Sequence, residues 1–290
     1  MSTPKTHGHL SPDSGSHSGA GLPAAEPVSP FFSDTRNVGP ATFLPGGLQF
    51  QFVETADGSL TARLGESETM HSLRGAFNET VYIYGTAFAV AQNELGIKEP
   101  TVFSLGLGLG YVEILSAALA LKSGAVPRGK SFELIEELNT SFKSWALAKV
   151  LKPTMTPDVF VLPDIYDQIA RRTCDAMKSE LVTPDTVCRA IGNALLEKSW
   201  TLSGPLTPQT EMTRKFDCIA FDAFSSKSTP ELWTREFLDH FLATACNQSC
   251  VLSTYACTGN LKRALVDAGF ELRIREGYAS KRDSTLAVRR

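Results

Sequence analysis

Between Thr101 and Leu115 the chain reads TVFSLGLGLGYVEIL, with Gly106, Gly108 and Gly110 alternating with leucines behind a short apolar run. Glycine at such a place lets the backbone turn sharply from strand to helix and approach a ligand closely. The spacing excludes two familiar alternatives. A dinucleotide fingerprint needs Gly-x-Gly-x-x-Gly, but position 111 is Tyr; a phosphate loop needs Gly-Lys-Ser/Thr, which does not follow. Gly-x-Gly-x-Gly after a first strand instead suits S-adenosylmethionine, with its methionine portion laid along the loop backbone. Tight strand-to-helix packing is the competing reading of the same glycines. Glu136, at the end of the next apolar run in SFELIEEL, strengthens the cofactor reading. A carboxylate there accepts both ribose hydroxyl hydrogen bonds, as the acid of a dinucleotide fold does.

Further polar residues close later apolar runs. Asp164 ends DVFVLPD, Asp222 follows FDCIAF, and Tyr255 follows VLST. Three histidines, His7, His9 and His17, stand in the first stretch, where a solvated segment is a better reading than a metal site. The six cysteines form no Cys-x-x-Cys pair, and the Cys-x-x-x-Cys in CNQSC has no histidine beside it. They read as reduced core thiols of a cytoplasmic protein, with no metal bound.

The elements that must position these residues follow from periodicity. Up to about Pro45 the chain is rich in Ser, Pro, Gly and Ala and poor in core-forming residues. It cannot bury enough apolar surface to offset the entropy of ordering, so residues 1–45 are expected to be a disordered tail. Residues 46–290 are expected to form one domain, with 46–100 as its leading segment. Leu48, Phe50 and Phe52 alternate with polar residues, and Asp57-Gly58 is a turn signal, which predicts a β-hairpin over 48–64. A helix is expected from Glu79 to Leu95, stopped by Gly96. Strands are then predicted at 101–105, 131–138, 158–164, 216–224 and 250–256. Helices are predicted near 110–122, 165–200 with an interruption at Pro184, 231–245 and 260–269, and a hairpin closes the chain. This alternation predicts a doubly wound, mostly parallel α/β sheet. In such a sheet ligands lie outside the carboxyl ends of the strands, where the glycines and most of the polar residues named above fall.

The bulk composition sets limits. The chain has 290 residues, 42% hydrophobic and 20% charged, enough for a sizeable core. A net charge of -3 gives no global pull toward nucleic acid, so RNA binding would need a local patch. Lys262, Arg263, Arg273, Arg275, Lys281 and Arg282 supply positive charge in the last third, although Glu271, Glu276 and Asp283 are interspersed. No apolar run approaches the ~20 residues of a membrane span, and the first residues have no signal-peptide core.

Three stretches together carry a family resemblance. FDAFSSKSTPELWTREFLDHF, LSTYACTGNLKRALVDAGFELRIREGYASKRD and, upstream, TADGSLTARLGESETMHSLRGAFNETVYIY occur in that chain order. They resemble the methyltransferase domain of MnmC-type tRNA-modification proteins over roughly 48–282. The resemblance implies a Rossmann-like class I fold and S-adenosylmethionine as cofactor. It also implies methylation of the 5-aminomethyl group of a wobble uridine, often 2-thiolated, in the anticodon loop of tRNA. The chain lacks a second dinucleotide loop and so resembles the stand-alone form. Asp222 then stands where an amine is oriented and loses its proton, or caps the loop AFSSKS. Phe224, Tyr255, His71 and Glu79 are candidates to line the acceptor pocket, and Lys281 and Arg282 to meet phosphates; Trp233 is a further wall or a core ring. Three positions depart from the family. Ser104 stands where an acid contacts the methionine ammonium, Tyr111-Val112 displaces an Asn, and Gly204-Pro205 replaces a Gly-Asp that holds adenine. Two other classes therefore stay open: a small-molecule methyl- or aminopropyltransferase on the same fold, and a non-catalytic binding module.

Overall fold

A computed structural model describes residues 37–43, 49–65, 68–151, 163–223, 228–273, 275–279 and 283–290. Phe224, Lys281, Arg282 and all but the last two residues of DVFVLPD lie outside them. The chain opens with an antiparallel sheet of β1 (Asn37–Phe43), β2 (Gln49–Glu54), β3 (Leu60–Leu64) and the two-residue β4 (Glu68–Thr69). The expected hairpin is β2–β3. The expected tail reached position 45, yet Asn37–Phe43 pairs with β2, Asn37 opposite Val53 and Phe43 opposite Gln49.

The turn of that hairpin does more than reverse the chain. Asp57 Oδ2 accepts from Asn78 N–H (3.0 Å), Ser59 Oγ from Phe77 N–H (3.0 Å) and Thr55 Oγ1 from Ala76 N–H (3.3 Å). These amides begin α1 (Ala76–Thr80), whose own N-cap, Gly75, has no side chain to satisfy them. The helical run continues through a single widened turn, Val81–Gly85, with i→i+5 pairing, into α2 (Thr86–Asn93). The single helix expected here is thus interrupted by a π-turn.

The main sheet has seven strands. They are β5 (Val102–Leu105), β6 (Gly129–Phe132), β7 (Trp200–Ser203), β8 (Phe216–Phe221), β9 (Cys246–Thr254), β10 (Glu271–Arg273) and β11 (Thr285–Arg289), in the order β10-β11-β9-β8-β5-β6-β7. The pairs from β7 across to β9 are parallel, whereas β11 is antiparallel to both neighbours. From β5 the chain winds outward through β6 and β7, then returns to β8 on the other side. That reversal makes the crevice between β5 and β8 the topological switch point.

Helices cover both faces. Strand residues alternate between them: Val102, Cys218 and Ala220 pack with α1, α2, α3 (Tyr111–Lys122), α4 (Glu136–Ala148), α5 (Pro163–Met177) and α6 (Pro184–Leu196). Phe103, Leu105, Ile219 and Phe221 pack with α7 (Arg235–Ala245) and α8 (Gly259–Asp267). Pro184 at the first position of α6 explains the interruption expected there, with Thr183 as the capping residue. The expected strand at DVFVLPD falls mostly outside the described residues, and Pro163 and Asp164 open α5 instead. The place beside β6 is taken by β7, which begins at position 200 where the expected helical stretch ends.

Candidate active site

Each end of the glycine turn is tied to the sheet. Gly106 and Leu107 donate their N–H groups to the Phe132 carbonyl, at 2.9 and 3.2 Å, and Gly110 donates to Leu107. All three glycines have positive φ, +85°, +52° and +74°, which side chains rarely adopt. Their surroundings differ. A Cβ on Gly106 would lie 2.7 Å from the Asp222 carbonyl, and one on Gly110 would lie 2.5 Å from the Phe142 ring. A Cβ on Gly108 would meet only Met70 Sδ, at 3.5 Å. Gly106 and Gly110 therefore serve close packing, while Gly108 leaves its backbone open. The packing reading thus applies to Gly106 and Gly110, and Gly108 is the residue of the three with room for the cradle reading.

The acid at the end of β6 is Glu133, one the sequence reading passed over. Gly108 N–H donates to its Oε2 (2.8 Å) and Ile135 N–H to its Oε1 (2.9 Å), and the side chain is buried. Burial raises its pKa, while its backbone hydrogen bonds favour the anion. Each oxygen keeps a lone pair for a further donor. Glu136 was expected at this place, but β6 ends at Phe132, and Glu136 is exposed in the first turn of α4. Position in the strand, rather than acidity, separates the two: the strand is four residues long, so its end falls earlier than the run of acids suggested.

Beneath the loop lies a polar seam. Ser104 on β5 is paired with Ser131 on β6. Ser131 donates to Glu113 Oε1 (2.7 Å) and accepts from the Trp200 indole N–H (2.9 Å). Ser104 Oγ makes no hydrogen bond of ordinary geometry, although it lies in reach of the same carboxyl. The carboxyl of this seam comes from α3, since Glu113 is fully buried there. Burial pushes its pKa up to about 7, against the lowering effect of the serines.

Asp222 follows β8 directly, and its N–H donates to Leu105 O at 3.1 Å, which fixes it at the switch point beside Gly106. Tyr255, just past β9, donates its hydroxyl to the Ala223 carbonyl (2.7 Å) and so holds the segment after Asp222. Glu79 on α1 is buried, with Oε2 accepting from Ser72 N–H (2.7 Å). His71 packs edge-on against Tyr111 at 4.8 Å, its Nδ1 is 3.3 Å from Thr61 Oγ1, and Tyr111 donates to Leu60 O. The leading segment is thus folded over the start of α3, with Met70 against Gly108. The sequence reading missed Tyr84, on the π-turn. Burial raises its pKa most, followed by the charge of Asp222, a hydrogen bond to Asp222, and Glu79 and Tyr255.

The structure brings Gly106, Gly108, Gly110, Asp222, Glu79, His71 and Tyr255 to one end of the sheet. It leaves others aside. Trp233 is buried edge-on against Phe221, a core ring, and Asp164 is exposed on α5. Of the basic residues, Arg273 is paired with Glu94 through two bonds (2.8 and 2.6 Å), and Arg275 is turned inward. Lys262 and Arg263 remain exposed on α8. Among the described residues no three metal-ligating side chains gather, and no helix is long and apolar enough to cross a membrane.

Known proteins share these features. Residues 206–290 match a family described as S-adenosyl-L-methionine-dependent methyltransferases. The chain is 26% identical over 238 residues, 82% of its length and 59% of the other's, to the uncharacterized protein MJ0670 of Methanocaldococcus jannaschii. It is 35% identical over 74 residues to the tRNA 5-methylaminomethyl-2-thiouridine biosynthesis bifunctional protein MnmC of Hahella chejuensis, covering 26% of this chain and 12% of that protein. The crystal structure of MNMC2 from Aquifex aeolicus shares the fold with a TM-score of 0.52 and 21% identity, over 84% of this chain and 72% of that one. The chain therefore spans only part of these curated relatives. Strand order, glycine turn and matched family define a class I S-adenosylmethionine-dependent methyltransferase. Within that class, the chain is similar to the methyltransferase domain of MnmC-type proteins.

Proposed function

We propose that this domain methylates the exocyclic amine of 5-aminomethyluridine, 2-thiolated or not, at the wobble position of tRNA. The observation that carries the proposal is the placement of Asp222 against Gly106, next to Glu79, Tyr84 and Tyr255. Carboxylates beside an open backbone cradle suit an amine that is cationic in water and must become neutral to react.

The residues fit the cofactor. Gly108 has room beside its Cα for a ligand, α3 begins without a side-chain cap, which suits a carboxylate at its N-terminus, and Glu133 has capacity for the ribose hydroxyls. When bound, S-adenosylmethionine supplies a methyl group on a sulfonium and departs as the neutral thioether. The chain must hold the amine nitrogen in line with that methyl carbon. As the nitrogen lone pair forms the new bond, the nitrogen gains positive charge, and Asp222 takes one of its protons. Tyr255 holds the segment after Asp222 in place, and Glu79 adds negative charge that attracts the ammonium before reaction.

An unpaired anticodon loop presents a splayed base that such a pocket can read. The MnmC relatives are named for 5-methylaminomethyl-2-thiouridine biosynthesis in tRNA, which supports this acceptor. The test supplies labelled S-adenosylmethionine and tRNA from cells lacking this methylation, then digests to nucleosides. Label on 5-methylaminomethyluridine is expected. Cofactor binding with label only on a free amine would move the activity to small molecules; no cofactor binding at all would leave a binding module.

A further inference from the structure

We propose that Tyr84 is a positioning residue: its hydroxyl donates to the Asp222 carboxylate and holds it ionised and turned toward the acceptor amine. The inference rests on the role given to Asp222 above, but the contact it asserts is testable without turnover.

Tyr84 lies on the only widened turn in the run from Ala76 to Asn93. Inserting one residue into a helical turn advances the following side chains by roughly 100°. A π-turn is costly unless its displaced carbonyls find other donors, and here they do. Thr86 Oγ1 donates to Tyr82 O (2.6 Å) and Ser253 Oγ to Ile83 O (2.5 Å). Arg275 Nη1 reaches both carbonyls at 3.3 Å, its Nη2 donates to Ser253 Oγ (3.0 Å), and its guanidinium lies over the Tyr82 ring. A half-buried arginine from the far end of the chain thus clamps the turn against β9.

This clamp gives Tyr84 a fixed place, yet its hydroxyl is buried without a hydrogen-bond partner of ordinary geometry. A buried hydroxyl left in that state costs stability, so its retention asks for a function. The groups acting on it are the carboxylates of Asp222 and Glu79, the Tyr255 hydroxyl and the Arg275 guanidinium. Burial and the two carboxylates keep the phenol protonated, so toward Asp222 it can only donate. A small closure of the Asp222 side chain, as substrate and cofactor fill the crevice, completes that bond. A donor on a carboxylate lowers its pKa and fixes its orientation: the first keeps the carboxylate ionised while it holds the cationic amine, and the second aims it at the amine nitrogen.

The experiment follows the Asp222 carboxyl carbon by NMR in protein labelled with 13C-aspartate, assigned by the signal lost in Asp222→Asn. In Tyr84→Phe, which removes one oxygen and keeps the ring, the Asp222 titration midpoint should move up by roughly one unit. An unchanged midpoint, in a variant whose circular dichroism matches wild type, overturns the proposal. The acid limb of the kcat profile should move in the same direction, with cofactor affinity unchanged. A shifted midpoint in a protein that methylates no amine would uphold the contact and sink the function assigned to Asp222, so the two failures are distinguishable.

Discussion

Gly108 N–H donates to Glu133 Oε2 at 2.8 Å, which joins the open middle of the glycine turn to the acid at the end of the neighbouring strand. One carboxylate therefore braces the loop, and under the proposed function it also takes the ribose hydroxyls. Replacing Glu133 by Gln should weaken S-adenosylmethionine binding about 10-fold or more, because a charged acceptor becomes a neutral one. Glu136→Ala should bind like wild type, since that side chain is exposed on α4. Titration calorimetry on the two variants checks this; the reverse pattern would return the ribose contact to Glu136.

The two outer glycines and the middle one should fail in different ways. Gly106→Ala forces a Cβ to 2.7 Å from the Asp222 carbonyl, whereas Gly108→Ala meets only Met70 Sδ at 3.5 Å. Both pay a positive-φ penalty of roughly 1–2 kcal/mol, so thermal melts should place Gly106→Ala well below Gly108→Ala. A larger Gly108→Asn, whose side chain tolerates positive φ, should melt no lower than Gly108→Ala yet lose cofactor affinity. Equal melting losses for the two alanine variants would refute the assignment.

Asp222→Asn keeps the shape of the side chain and removes its ability to take a proton. Turnover should drop by about 10²-fold or more, with cofactor affinity nearly unchanged. Wild-type turnover at saturating cofactor would reduce Asp222 to a cap on the following loop.

Glu113 predicts a pH dependence of stability. Its folded pKa is about 7, against an ordinary value of 4.5. The folded state thus holds the proton longer than the unfolded one. Its contribution is fully present below pH 4.5, falls as pH rises toward 7, and is gone above that. The loss is on the order of 3 kcal/mol at most. Glu113→Gln should gain stability over wild type between pH 5 and 8 in urea melts; parallel profiles for the two proteins would show that Glu113 is not the titrating group.

Lys281 and Arg282 lie outside the described residues, but the MnmC resemblance places them against anticodon phosphates. Changing both to Ala should weaken tRNA binding and flatten its salt dependence, leaving cofactor affinity intact. Filter binding at several salt concentrations measures both; an unaltered salt slope removes them from the interface.

The glycine turn, β5, β8 and the acid after β8 were legible because each carries a local signal: positive-φ residues, an apolar run, a polar residue at its end. Glu133 was not, because three acids follow one short strand and only pairing with β5 and β7 shows where the strand stops. β7 was missed because a helix was read up to position 200 and only the ladder to β6 marks the four residues from Trp200 as a strand. The strand at Asn37–Phe43 was lost for a similar reason: composition favoured a tail, and the ladder to β2 overrides it. Tyr84 had no sequence signature at all. The π-turn that aims it depends on Arg275, some 190 residues away, and long-range clamps of that kind leave no periodicity to read.

The hairpin turn that caps α1 has a consequence for the order of assembly. The helical run from Ala76 opens without a capping side chain of its own, and its first amides are satisfied by Thr55, Asp57 and Ser59, 18 to 21 positions upstream. The turn must close before the helix gains its partners, so the β2–β3 hairpin is the template and α1 the copy. Any opening of the hairpin releases the amides of Ala76, Phe77 and Asn78 together, and those three should exchange their hydrogens with solvent as one cooperative unit. Glu79 is the next residue along. The crevice beside Glu79 therefore inherits its order from a hairpin turn in a different sheet.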